Sequence, residues 1–436
     1  ALDALKKLGA MVVCGDASLA TILRKCGIAN ASRLVCAAGE DSVNLSIAMA
    51  AAKSAFGRKA PLETRVHIGD LGHRDVLERS NVLGVGKESG LEIKTFNFFR
   101  NKARQTLQDN PLELDNDRAL CDEVHLLLPG LDRFETALAV QTALIGQYRN
   151  GGKCTIHIVC ADPDKEIGQL LKRYPNFEKC CRLRPHGLES ADLIPKAAEI
   201  IDGLPSNSFC SVFLCSGDSG AMFTEALLLK DLLPGNDRFR VVLSPPPNSF
   251  LREIVGKLGE KGDSLSRWIS FATANSAACG QDAVFNESLD RLAMRIHRVW
   301  HEKQIQKQKV GKHESNERTE PRAWAELLES EKDANRFAAD HIDVKIRAAG
   351  LNPADRRMLG ECWDSLDPAT LEMLACVEHE RWCAAKWIGG WSFGAKQDNR
   401  HRLHHCLVPY EDLAHEYKEN DRNQVKAAAS HLLACS

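Results

Sequence analysis

No run of apolar residues in this chain approaches the ~18–20 that a bilayer-spanning helix needs, so the stretch itself reads as water-facing protein. The sixteen cysteines contain no Cys-x-x-Cys, and Cys180-Cys181 stand side by side, so neither zinc ligation nor a disulfide framework is spaced for. Several fall inside apolar strands, as Cys160, Cys210 and Cys215 do, where a free thiol acts as a small hydrophobe. That usage predicts a reducing, cytoplasmic home. A charge excess is missing too: Lys and Arg number 57 against 59 for Asp and Glu, a net −2, which leaves no electrostatic case for nucleic acid or anionic lipid. Gly-x-Ser-x-Gly, a Walker loop and His-Glu-x-x-His are all absent, and no catalytic arrangement is legible. His404-His405-Cys406 has the residue types of a metal site, but adjacent residues converge poorly on one ion, so no metal is expected.

What is present is ordinary globular chain: 436 residues, 44% hydrophobic, 27% charged, enough for about three domains of ~100–200 residues. Short apolar strands alternate with helices over the first 300 residues, the pattern of parallel sheets with helices on their faces. In the first stretch a helix is expected over Ala1–Leu8, then a strand Met11–Cys14, the turn Gly15-Asp16-Ala17-Ser18, and strands Arg33–Ala38, Thr64–Ile68 and Glu92–Phe96. A second α/β stretch opens near Cys121, with strands at Val124–Leu128, Thr155–Cys160, Cys181–Arg184, Cys210–Cys215, Arg238–Leu243 and Trp268–Ala272. Six strands at this spacing predict a doubly wound fold.

The loop after the first of those six falls where a glycine-rich phosphate loop belongs. Gly130 is kept, but Asp132 and Glu135 stand where the other glycines would be, and two carboxylates there repel a pyrophosphate. The ordinary dinucleotide site should therefore be dead. Asp162, ending the second strand, occupies the ribose-binding position, although an acid there is also common turn chemistry. Ser216–Gly220 and Ser244–Asn248 follow the fourth and fifth strands and either line a crevice or simply turn the chain. Beyond His301 the composition turns polar as far as position 321, as in a solvated linker. A long helix over Ala323–Ala349 should follow.

The most distinctive stretch runs from Glu378 to Tyr410. Asp367-Pro368 starts a helix and Gly389-Gly390 stops it. Glu378, Trp382 and Lys386 lie four residues apart on one helical face, an acceptor, an aromatic plate and a cation that together suit a nucleotide. Alternatively, both Trp382 and Trp391 are core and the charges are solvated. Trp391 and Arg402 complete the candidate ligand set, and His379 reads as a buried hydrogen-bonding residue.

His379-x-x-Trp382, Gly390-Trp391-x-x-Gly394, Asp398, His405 and Leu407-Val408-Pro409-Tyr410, in this order, resemble the ryanodine receptor repeat, the RyR domain, over roughly 322–430. Cys406 stands where the family has a small residue. The resemblance implies a small helical ligand module, in some relatives a binder of adenine nucleotides through the tryptophan that corresponds to Trp382. Gly15-Asp16-Ala17, the turn at Ile28 and Ala38-Gly39-Glu40-Asp41-Ser42-Val43-Asn44 resemble the RCK (TrkA-N/Kef-type) domain of potassium channels and transporters, over about 1–110. That resemblance implies NAD or ATP as cofactor near Asp16 and Ala38. It also implies a homodimer, for which the helix Asn97–Gln108, presenting Phe98, Phe99, Ala103 and Leu107, is the candidate contact. An upstream segment, such as a membrane pore, is expected to supply the missing first strands and to hold the protein at the inner face of a membrane.

The expected architecture is thus α/β: two Rossmann-like parallel-sheet units, the first lacking its N-terminal strands (1–115 and 116–300), a polar linker (301–321) and a small, mainly helical RyR-type domain (322–436). The expected role is a nucleotide-sensing regulator of a potassium transport system, not an enzyme. The alternatives are an enzyme acting on NAD or a cyclic nucleotide in the crevice, and a structural adaptor.

Overall fold

A computed structural model describes residues 6–7, 9–55, 58, 60–79, 90–148, 151–188, 193–215, 217–247, 249–260, 265–309 and 321–433. The chain forms two compact units: Ala1–Phe98 with Gln281–Ser288 and Arg322–Asp333, and Phe99–Gly280 with Leu289–Pro321 and Ala334–Ser436.

In the first unit three parallel strands, β1 (Arg33–Cys36), β2 (Leu62–His67) and β3 (Leu91–Phe96), lie in the order β1-β2-β3. Small residues on the helix Asp41–Ala55 (Ala48, Ala51, Ala55) let it sit close on Cys36, Leu62 and Val66. Two later segments join this unit through ion pairs. Lys332 is fully buried and bonds Glu287 at 2.9 Å and Glu329 at 2.7 Å, and Arg74 meets Asp333 at 2.7 Å. The strand expected at Met11–Cys14 is not formed. Met11 is 70% exposed, and no neighbouring strand among the described residues offers it a ladder. Of the helix expected at Ala1–Leu8, only Lys6 and Lys7 are described, and both are helical.

The second unit holds six parallel strands: β4 (Glu123–Leu128), β5 (Thr155–Cys160), β6 (Arg182–Gly187), β7 (Ser208–Leu214), β8 (Phe239–Leu243) and β9 (Ile269–Phe271). Their order is β6-β5-β4-β7-β8-β9, the doubly wound arrangement the spacing predicts. Because side chains alternate across a strand, Leu126 and Leu128 face one core with Ile156 and the helix Arg133–Ile145, while Leu127 faces another with Val159 and Val212. Cys154, Cys180, Cys181 and Cys210 are buried free thiols within these cores.

Three expectations are corrected. The helix Phe98–Asp109 cannot be a dimer contact through Ala103 and Leu107, since both are buried in the second unit's own core. The polar stretch from His301 continues the helix Arg291–Lys309, and positions 310–320 lie outside the described residues. The helix expected over Ala323–Ala349 is broken. Its pieces are the turn Trp324–Glu326, Glu329–Asp340 and Ile342–Ala348, with buried His341 at the joint bonding the Gln147 carbonyl oxygen at 3.1 Å.

Candidate functional site

Asp367 caps the helix Pro368–Ile388, accepting from the amides of Ala369 and Thr370, both at 3.0 Å. At its far end Gly390 takes φ +76°, a conformation disfavoured for any residue with a Cβ, and turns the chain into a parallel pair, β10 (Ser392–Phe393) with β11 (Leu403–His404). A Cβ on Gly394 would come within 2.8 Å of the Leu403 Cβ, so this glycine lets the two strands close. Asp398 caps the connecting loop through the amides of Arg400 and His401. Arg402, itself at φ +55°, donates to the Gly389 carbonyl oxygen at 2.8 Å. It braces the turn from the side.

This loop folds back onto the helix and builds a half-buried aromatic face. The His404 ring meets Trp382 edge-on at 4.8 Å between centroids, and Trp391 lies 6.2 Å from the same ring. The Lys386 Nζ lies 4.1 Å from the Trp391 centroid and 5.5 Å from that of Trp382. Among the described residues no carboxylate pairs with this ammonium, and burial pulls its pKa down. His404 is pushed down to about 4, by burial first and then by Lys386 and His405. This sets a half-buried cation between two indoles, beside a neutral imidazole. Trp382 also packs on Ala375, Cys406, Tyr410 and Leu413, so its ring serves both as core and as one wall of this face.

Glu378 does not line the face. It is buried in a trio with Lys345 at 2.6 Å and Arg381 at 2.7 Å, and these two cations outweigh its desolvation and hold the carboxyl well below the usual range. His379 is buried as expected, with its Nε2 bonded to the Val408 carbonyl oxygen at 2.8 Å and its Nδ1 3.5 Å from Asp421. Burial opposes its charge, yet the bonds to Asp421 and Cys383 win and push its pKa up to about 10. The donor atoms of His404, His405 and Cys406 come within 4.8 Å of one another. However, the two rings stack at 15°, His404 Nδ1 accepts from the Cys406 amide, and His405 Nε2 bonds the Tyr417 hydroxyl at 2.9 Å. Lone pairs in parallel planes do not meet at one ion.

The loop after β4 carries its own anion. Gly130, at φ +118°, leads into Leu131, whose amide donates to Glu166 Oε2 at 2.5 Å. Glu166 thus stands where a pyrophosphate would be held. Glu135 is buried at the same helix N-terminus, its pKa raised by burial and by Asp132. Asp162 is the N-cap of the helix Pro163–Arg173, accepting from the Lys165 amide at 3.1 Å. Sequence reasoning missed Lys102, which donates to the Ser244 hydroxyl at 2.8 Å with both residues buried, and whose pKa is lowered chiefly by that burial. Ser216 and Asn248 of the two crevice loops lie outside the described residues. In the first unit Asp16 is exposed and caps Ser18, while the Ala38 amide donates to Asn44 Oδ1 at 2.5 Å.

Residues 366–436 match the RyR domain. Residues 1–85 match the TrkA-N domain. Both resemblances read from the sequence are thus borne out, each over a shorter span, with the aromatic face lying wholly inside the RyR match. TrkA-N domains typically bind NAD(H) and are a regulatory type of domain met in potassium transport, which is consistent with NAD as a cofactor. No curated protein matches the chain. No helix among the described residues is long and apolar enough to cross a membrane.

Proposed function

We propose that this protein is a nucleotide-responsive regulator of a potassium transport system, whose RyR domain takes an adenine-type or cyclic nucleotide on the face of Trp382, Trp391, His404 and Lys386. The carrying observation is the Lys386 ammonium held between two indoles without an anion. A base stacks on an indole, and a phosphate supplies the missing charge. Arg402 supports the turn at the rim, and Glu378 holds the helix from behind. NAD or ATP belongs to the TrkA-N part, and a homodimer at the cytoplasmic face of a membrane is the working assembly. This reading assigns no reaction. Titration with ATP, cyclic AMP and cyclic dinucleotides, followed by indole fluorescence, should show saturable quenching that Trp382→Ala removes. No response to any of them would overturn it.

One observation favours an enzyme instead: the buried Lys102 Nζ donates to the Ser244 hydroxyl just after β8, and burial lowers the lysine's pKa, so that a deprotonated Lys102 would be placed to act as base to that serine. Turnover of NAD or a cyclic nucleotide by wild type and its loss in Ser244→Ala would support that reading, and inert nucleotides would end it.

A further inference from the structure

Three histidines form a continuous row across the second sheet. His125 on β4 stands opposite Thr155, two residues before His157 on β5, and His157 stands opposite Arg184, two before His186 on β6. Steps of two keep all three side chains on one face of the sheet. His125 Nδ1 lies 3.0 Å from His157 Nε2, and His157 Nδ1 lies 2.9 Å from His186 Nε2. Each contact uses one N–H and one lone pair. A neutral row therefore points all its bonds one way, and a proton added at one end can reverse the whole row.

His125 opens into a cavity of about 260 Å³ at the amino ends of these strands, lined by Asp122, Glu123, Lys153, Thr155 and Arg182 among others. The two acids already have donors: Ser208 Oγ reaches Glu123 at 3.2 Å and Asn207 reaches Asp122 at 3.5 Å. Lys153 spends one N–H on the Glu178 carbonyl oxygen. The Arg182 guanidinium makes no hydrogen bond or ion pair among the described residues. Each carboxylate of the cavity thus has a donor, whereas the Arg182 guanidinium and the remaining N–H groups of Lys153 have no acceptor among the described residues.

We propose that this cavity binds a small oxyanion of the phosphate class, free or as the end of a phosphomonoester, and that binding draws a proton onto the His125–His157–His186 row. The groups facing the row set the sign. Glu123 lies 3.7 Å from His125, Arg182 is beside it, Arg184 faces His157, and Lys196 and Glu199 of the helix Leu193–Asp202 face His186. Burial first, then these cations and the neighbouring imidazoles, keep the row neutral, with His157 down to about 3. An anion on Arg182 and Lys153 cancels part of that positive field, so protonation becomes easier. By linkage, a lower pH must then tighten anion binding.

Sulfate is the probe, because it does not titrate near neutrality and any proton taken up belongs to the protein. Calorimetry of the full chain at pH 6.5, in two buffers of different ionisation heat, should give saturable binding with net proton uptake. Affinity should rise from pH 8 to pH 6. Arg182→Gln, at an exposed position, should melt like wild type and bind about tenfold more weakly or worse, as expected for loss of a charge-assisted contact. His125→Gln should keep binding at pH 8 but lose the proton uptake. Comparing inorganic phosphate with glycerol 3-phosphate then tells a free ion from an ester. Absence of saturable sulfate binding, equal affinity in Arg182→Gln, or binding without proton uptake would each overturn the proposal.

Discussion

If the RyR face takes a nucleotide as proposed, Trp382 and Lys386 hold different parts of it, and substitutions should separate them. Stacking on an aromatic ring is worth roughly 1–3 kcal/mol, so Trp382→Ala should weaken an adenine nucleotide about 5- to 150-fold while Trp382→Phe keeps much of the binding. Lys386→Ala should weaken ATP more than adenosine, because only the phosphates use the cation. Equal losses for both ligands would show that Lys386 merely packs. If Trp382 is core alone, its Ala variant would instead melt early, by about 3–5 kcal/mol, with no nucleotide effect in either protein. Glu378→Gln should cost about 3–5 kcal/mol, read as an early melt, since it strands Lys345 and Arg381 in the interior. A loss confined to ligand affinity would restore Glu378 to the site. Trp382, Trp391 and Lys386 were legible because their types and spacing name a chemistry. Glu378 was misread because positions four apart drift about 40° around a helix, and spacing cannot say which edge of a face turns inward. His404 was hidden by the loop that returns it to the helix.

Among the elements, the strand that carries His157 and the helix joint at His341 should respond to pH with the opposite sign to the helix Pro368–Ile388. His157, down to about 3, and His341, held well below its ordinary value by burial and by Lys345, are neutral when folded. The stability they lend is full above the unfolded value of 6.5 and drains as pH falls below it. His379, up to about 10, lends stability that is full below 6.5 and is lost as pH rises to about 10. Melting temperature should therefore peak near neutrality. The deficit of His379→Gln relative to wild type should shrink between pH 7 and pH 10, and a constant deficit would refute the charged imidazolium. The six strands were legible from apolar runs bounded by turn residues. The break at His341 was not, because its cause is a bond to the Gln147 carbonyl oxygen, almost two hundred positions away in the chain. Nor was the loss of a strand at Met11–Cys14, since β propensity cannot supply a neighbour.

For the whole molecule, a dinucleotide should not use the Gly130–Glu135 loop. Glu166 already accepts the Leu131 amide there, and a complex with NADH showing pyrophosphate bonded to that backbone would contradict this. Light scattering at micromolar concentration should return twice the chain mass if the homodimer holds, and a single chain mass would exclude it. The return of 281–288 and 322–333 to the first unit escaped the sequence because ion pairs such as Lys332 with Glu287 leave no periodic trace. The helix Pro368–Ile388 is shared property: Ala384 belongs to the sheet's core, with Trp387 and Ile388 packed at its edge, while Ala375 and Trp382 belong to the RyR cluster. Scissors placed before Asp367 would therefore cut two proteins, not one. The released fragment would bare a greasy flank and clump, and the remainder would lose a wall of its own interior. The matched module is thus built into the core beside the sheet, and a nucleotide held on Trp382 would stiffen the sheet by the same amount that the sheet stiffens its grip.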